Sequence, residues 1–221
     1  MRRLSRVLAQ ARLEFDRDGS PDPRLELLAD ILDAFAQVFA EPVADEDRAS
    51  AIHVGWMETA IGPLIAASFK GSLVLLEFTH RARVKTQIAA LKKRFQAPFL
   101  AEDDAIIEQT RRELDEYFGG RRKDFTIPLD FPGTPFEMKV WDELLKIPFG
   151  ETRSYEELAL ITSSKGAVRA VGSANGRNRI AIVIPCHRVV NKSGSLGGYG
   201  GGVWRKQLLL SLEQGAKLFV R

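Results

Sequence analysis

Two helix starts are written into the second half of the chain. "TPFE" at 134–137 sets Thr134 as N-cap, Pro135 at the first helical position and Glu137 where a capping box requires it. "SYEE" at 154–157 repeats the device with Ser154 and Glu157. Each box satisfies backbone N–H groups that a helix start leaves unpaired, so both helices are anchored before any tertiary contact is considered. The first carries Phe136, Val140, Leu144 and Ile147 on one stripe, and the second is short and fades near Thr162. After a brief turn, "SKGAVRAVGSANG" predicts another helix, with Ala167, Val171 and Ala174 as packing residues and an end at Asn175-Gly176. Two short helices across a tight turn match a helix-turn-helix, the second helix carrying Lys165 and Arg169. Most helix pairs bind nothing, so a second signal is needed.

Charge distribution supplies it. From Leu158 to Leu212 there is no Asp or Glu, while Lys165, Arg169, Arg177, Arg179, Arg188, Lys192, Arg205 and Lys206 contribute +8 to a chain of net charge +3, leaving −5 for the remainder. Any one of these reads as a solvated charge. Eight without a compensating acid predict a polyanion-binding surface, because phosphate contacts gain affinity by releasing condensed counterions.

The first half has a different grain. From Ile52 the runs "IHVGWME", "PLIAASF" and "SLVLLEF", separated by "TAIG" and "KG", predict an antiparallel meander. Val84, Ile88, Leu91 and Phe95 share one face of a following helix. A second helix, "EDDAIIEQTRRELDEYF", begins with acids and stops at Gly119-Gly120. The domain organisation expected is a helical extension over 1–50, its best amphipathic stretch "PDPRLELLADILDAFAQVFAEP"; a small α/β domain over 51–120; an irregular connector over 121–133; and a helix-turn-helix domain over 134–221. No run approaches the roughly 20 apolar residues of a membrane span, and the start has charges throughout, so no membrane partner and a cytoplasmic location are expected. One cysteine with three histidines offers little from which to assemble a zinc site, and no motif asks for a metal or a cofactor.

That cysteine, Cys186, follows "IAIVIP", which predicts a strand and makes an inert buried thiol a respectable reading. His187 and Arg188 argue the other way, because both are costly to bury unpaired. A thiol with a pKa of about 8.5 needs a base or a positive field to become a nucleophile, and His187 and Arg188 offer these. Neighbours in a strand point to opposite faces, so the pair cooperates only if Pro185 breaks the strand or water bridges the two groups. Glu213, the first acid after the basic stretch, is the natural group to hold the imidazole tautomer. Downstream, six of the nine residues from Gly194 to Gly202 are glycine, with Tyr199 among them, which suits a loop whose backbone closes on a base-sized ligand.

In order along the chain, "SYEELA", "GAVRAVGSANGRN", "PCHRVV" and "GSLGGYGGGVWRKQLLLSLE" resemble the O6-alkylguanine-DNA alkyltransferases, also called methylated-DNA–protein-cysteine methyltransferases. The resemblance implies an α/β fold: a small ribonuclease-H-like domain with an antiparallel sheet, then a mostly helical, winged-helix-like domain that binds DNA and carries the reaction. It makes Cys186 the acceptor of the alkyl group, with His187 taking the thiol proton through water and Glu213 orienting His187. Tyr155 donates toward a ring nitrogen of the leaving guanine, and Asn178 fixes the turn before the active segment. Arg169 fills the space of a flipped nucleotide, with Lys165, Ala170, Ser173, Asn175 and Arg177 beside it on the DNA. Tyr199, Gly198, Gly200, Val189 and Pro185 wall the base pocket. Double-stranded DNA bound in the minor groove is the implied partner of a monomer that repairs one O6-alkylguanine, or O4-alkylthymine, and is then spent. Gly200 departs from relatives that place a serine after the pocket tyrosine, so backbone donors must serve the substrate oxygen. Two rivals stand beside this reading: a non-catalytic alkylated-DNA-binding protein on the same scaffold, and a cysteine hydrolase.

Overall fold

The computed structural model describes residues 43–79, 83–163 and 165–216. The helix expected within 21–42 lies outside them. After a 3-10 helix at Asp45–Ser50 come three antiparallel strands, β1 (Ile52–Met57), β2 (Leu64–Phe69) and β3 (Ser72–Phe78), as the turn signals predict. Helix α1 (Val84–Phe95) and strand β4 (Phe99–Leu100) follow, then helix α2 (Ala105–Phe118). The meander is therefore incomplete as a description. β4 adds to β1 in parallel, giving a sheet ordered β3-β2-β1-β4, and two residues are too few to carry a period-2 signal.

Helices cover both faces of this sheet, which is why its strands read as continuous apolar runs. Ile52, Val54, Ile65 and Val74 pack with Val84, Ile88 and Leu91 of α1. Met57, Leu64, Leu73, Leu76 and Phe78 face the other way, with Ile107, Leu114 and Tyr117 of α2. Val74 and Leu75 share a side because the register between β2 and β3 shifts at Ala67/Ser68, a bulge that slips one residue of β3 past its partner.

The helical half consists of α3 (Pro135–Leu145), β5 (Arg153–Ser154), α4 (Tyr155–Thr162), a 3-10 turn at Lys165–Ala167, α5 (Val168–Gly176), a 3-10 turn at Cys186–Arg188, β6 (Val189–Val190) and α6 (Val203–Glu213). Both capping boxes form: Glu137 accepts from the Thr134 N–H at 2.8 Å, and Glu157 accepts from the Ser154 N–H at 2.6 Å. The Trp141 indole on α3 donates to the Ala174 carbonyl at 2.9 Å, locking α5 against it.

The expected strand over "IAIVI" does not form. Only Ile180 makes a bridge, to Leu76 of β3, and residues 181–184 turn back on themselves. The Leu76 N–H donates to the Arg179 carbonyl at 2.9 Å and the Ala181 N–H to the Leu76 carbonyl at 2.7 Å. The connector takes the same edge strand three residues earlier, the Leu73 N–H donating to the Pro128 carbonyl at 2.8 Å and the Asp130 N–H to the Leu73 carbonyl at 3.0 Å. β3's free edge is thereby covered, and one apolar core runs from the sheet through α2 into the helical half, including Ile180, Ile184 and Cys186 itself.

Candidate active site

Asn178 is the hub of the turn that presents the thiol. Its Oδ1 accepts from the Ile180 N–H at 2.9 Å, and its Nδ2 donates to the Ile184 carbonyl at 2.9 Å and to Cys186 Sγ at 3.1 Å. Inside the turn Ile182 is held at φ +71°, a left-handed conformation that a β-branched residue adopts at a cost of about 1–3 kcal/mol. Pro185 then passes the chain into the 3-10 turn, so Cys186, His187 and Arg188 are not splayed on alternate faces of a strand.

All three are buried, and two of them converge on Glu213 of α6. His187 Nε2 lies 2.8 Å from Glu213 Oε1, and the Arg188 guanidinium grips both carboxylate oxygens, Nε at 2.9 Å from Oε2 and Nη2 at 3.0 Å from Oε1. Arg188 also donates to the Ile147 carbonyl at 2.6 Å. Burial alone would raise the Glu213 pKa, but hydrogen bonds from His187 and Arg188, and their positive charge in the acid range where the carboxylate titrates, hold it down to about 2. Burial depresses the pKa of His187, and Arg188 and Lys206 add to this against the pull of Glu213. At neutral pH the imidazole is therefore neutral, and because an ionised carboxylate only accepts, its proton sits on Nε2. That leaves Nδ1, which has no protein hydrogen-bond partner, as the basic nitrogen. Arg188 thus serves the carboxylate rather than the thiol.

The Gly150 N–H donates to Glu213 Oε2 at 3.1 Å. Gly150 has φ +81°, and a Cβ there would stand 3.1 Å from the Glu213 carbonyl oxygen, so this donor position suits glycine.

Above the thiol opens a cavity of about 810 Å³. Tyr155, Asn178 and Cys186 line it from one side, Gly197, Gly198, Tyr199 and Gly200 from the loop side, and Arg169 and Ser173 from α5. Glu77 and Arg83 reach it from the sheet domain, which nothing in the sequence had suggested. Pro185 and Val189 are buried behind it. Burial raises the pKa of Tyr155, the neighbouring Cys186 adds to this, and a hydrogen bond from Asn175 opposes it, so the phenol stays a donor at neutral pH. At the far end of the loop, Gly201 lies against Phe78, where a Cβ would stand 2.5 Å from the ring, and so the loop is pressed onto β3.

Arg169, Ala170, Ser173 and Arg177 are exposed at spacings that give one outward face to α5. Arg177 is engaged there by an ion pair with Glu137. Asn175, expected among them, is instead buried, and its amide donates to the Cys186 carbonyl at 3.3 Å, because its Cβ points from the last turn of α5 toward the core. Lys165 has its backbone in the 3-10 turn that precedes α5.

The basic segment is thinner on the surface than its charge count implied. Arg188 is buried on Glu213. Arg205 is buried against the sheet domain, donating to the Ile61 carbonyl at 2.6 Å and the Gly201 carbonyl at 2.8 Å. Lys206 is fully buried, donates to the carbonyls of Val189 and Leu196, and has a pKa lowered by burial to about 8. A charge count cannot distinguish a cation facing solvent from one that staples a loop.

Fold and site together define a class: a protein with a single cysteine, in which a histidine–glutamate pair lies beside a buried thiol at the floor of a cavity flanked by a helix-turn-helix. Residues 52–131 match the family model described as the ribonuclease-like domain of 6-O-methylguanine DNA methyltransferase, and residues 135–215 match its DNA binding domain. A methylated-DNA–protein-cysteine methyltransferase of Mycobacterium leprae is 45% identical over 163 residues, covering 74% of this chain and 93% of that protein. The inducible protein of the same name from Bacillus subtilis is 47% identical over 125 residues, covering 57% of this chain and 70% of its own. A crystal structure of the Mycobacterium tuberculosis protein OGT in complex with DNA superposes with a TM-score of 0.64 at 40% identity, covering 73% of this chain and 92% of that one. The chain belongs to the methylated-DNA–protein-cysteine methyltransferase family.

Proposed function

We propose that this protein repairs DNA by direct reversal, moving an alkyl group from O6-alkylguanine, with O4-alkylthymine as a second substrate, irreversibly onto Cys186. The observation that carries the reading is the thiol itself: the chain's only cysteine lines the cavity while the buried His187–Glu213 pair lies beside it. The thiol proton passes to Nδ1 of His187 through water. Sulfur attacks the alkyl carbon in line, an S–C bond forms, and the C–O6 bond breaks with its electron pair going to the base. The proton given up by the thiol is balanced by the one the guanine gains, with Tyr155 donating toward a ring nitrogen as charge develops there. The product is a stable thioether, and the chain has no second cysteine to take the group on, so one protein repairs one lesion.

A base inside a duplex is out of reach of a buried sulfur, so the nucleotide must leave the stack at a cost of a few kcal/mol. Arg169, exposed on α5 and at the cavity rim, suits the role of filling the space it vacates from the minor groove, with Ala170, Ser173, Arg177 and Lys165 along the backbone. A monomer suffices for this, acting in the cytoplasm on double-stranded DNA; no described helix is long and apolar enough to cross a membrane. We assign the work to two units, 51–120 and 134–221, joined by 121–133.

Incubation with a duplex containing O6-methylguanine, followed by intact-mass measurement, tests the reading. A single added methyl, mapped to Cys186, is the predicted result. Unmodified protein bound tightly to the duplex would favour the non-catalytic binder, and release of free methanol with the protein unchanged would favour a hydrolase.

A further inference from the structure

Glu213 accepts one hydrogen bond that the transfer step does not use, and it comes from the other half of the molecule. The Tyr117 hydroxyl, on α2 of the sheet domain, donates to Glu213 Oε1 at 2.8 Å, the same oxygen and the same distance as His187 Nε2. Tyr117 is fully buried, its ring set among those of Phe118, Phe125 and Phe149 with centroids 5.4, 5.4 and 6.0 Å away. A buried phenol can meet its need for a partner at any carbonyl. This one is aimed at a carboxylate already held by Arg188 and by the Gly150 N–H.

We propose that Tyr117 is a positioning residue for alkyl transfer: its hydroxyl fixes the Glu213 carboxylate so that Oε1 accepts the Nε2 proton of His187 and Nδ1 is left free to receive the thiol proton. The inference rests on the direct-reversal reading and deepens it, since the sheet domain then supplies one atom of the proton relay. The groups that face His187 are Glu213, which favours the imidazolium, and Arg188 and Lys206, which oppose it. By sharing the negative charge on Oε1, the Tyr117 hydroxyl weakens the pull of Glu213. Without it the carboxylate holds an imidazolium more strongly, so His187 stays protonated to a higher pH and is less available as a base.

Tyr117→Phe in the full chain keeps the ring and removes only the hydroxyl. Methyl transfer from duplex should slow about tenfold at pH 7, the size of one lost hydrogen bond to a charged group. The acid limb of the pH–rate profile should move to higher pH. The same limb is read without DNA from the rate at which iodoacetamide alkylates Cys186, the chain's one thiol. Phe125→Leu, which loosens the same ring cluster and leaves the hydroxyl in place, should lower the melting temperature without moving the limb. An unmoved limb in Tyr117→Phe, or an equal shift in Phe125→Leu, overturns the proposal. If Tyr117→Phe is recovered unfolded, the 15N-histidine spectrum of the unaltered protein decides: a neutral Nε2–H tautomer of His187 supports the relay and an Nδ1–H tautomer refutes it. Should the unaltered protein take up no methyl while the iodoacetamide limb still shifts, the direct-reversal reading fails and the Tyr117–Glu213–His187 coupling stands.

Discussion

The outward face of α5 and the floor around Cys186 lie within one acid-free stretch, and they use their positive charge in opposite ways. On α5, Arg169 stays in solvent, and Arg177, itself half exposed, reaches down to pair with the buried Glu137. Around the thiol, Arg188 and Lys206 have left the surface, one to clamp a carboxylate and the other to tie the carbonyls of Val189 and Leu196. A surface charge contributes little to stability and is free to meet a phosphate, whereas a buried one fixes geometry and is costly to disturb. The contrast predicts that substitutions at the floor damage both chemistry and fold, and that those on α5 damage only the encounter with DNA.

The largest effect should come at Glu213. Replacing it with Gln leaves the Arg188 guanidinium buried without its counter-charge, so stability should fall by about 3–5 kcal/mol, read by denaturant unfolding. Transfer should slow by at least about a hundredfold, as when a general base loses its orienting partner. Because the Glu213 pKa is lowered from 4.5 to about 2, its stabilising contribution is complete above pH 4.5 and is lost as pH falls toward 2. Glu213→Gln should therefore lack that acid-sensitive component, and an identical pH–stability curve would remove Glu213 from the hub.

Arg169→Ala tests the other side. Repair of duplex should drop about tenfold or more while reaction with the free alkylated base stays within about twofold, and the melting temperature should not move. Equal losses on both substrates would place Arg169 in the chemistry and collapse the distinction between the two regions. Gly150→Ala comes next. Forcing alanine to φ +81° and crowding the Glu213 carbonyl should cost about 1–3 kcal/mol, with a matching loss of transfer, measured by calorimetry and single-turnover kinetics. Arg177→Ala should change least: below about 1 kcal/mol in stability, and a salt dependence of DNA binding less steep by about one counterion. A large stability loss there would mean that the Glu137 ion pair, and not the DNA, is its main business.

What the sequence disclosed follows the range of the interactions involved. The capping boxes at Thr134 and Ser154 and the stripe of α1 are local, and they form as read. Cys186, His187 and Glu213 were readable from their own chemistry and Asn178 and Tyr155 only through the resemblance; Tyr155, Asn178 and Cys186 line the cavity, and His187 and Glu213 form a buried pair. The apolar run "IAIVI" was misread because a strand and a buried turn share the same composition, and only the Asn178 side chain with the edge of β3 decides between them. Tyr117 left no trace, being one more apolar position on an amphipathic helix, 96 residues from the carboxylate it touches. Asn175 shows the same limit at short range: at the end of α5, one step in rotation separates a DNA contact from a buried amide.

A titration tests the central claim, that Cys186 is consumed as a reagent, most directly. Increasing amounts of O6-methylguanine duplex are added to a fixed amount of protein, and repaired guanine and methylated Cys186 are both counted at completion. The two should rise together and stop at one per protein molecule. Repaired guanine that keeps accumulating past that point, with Cys186 unmodified, would contradict it.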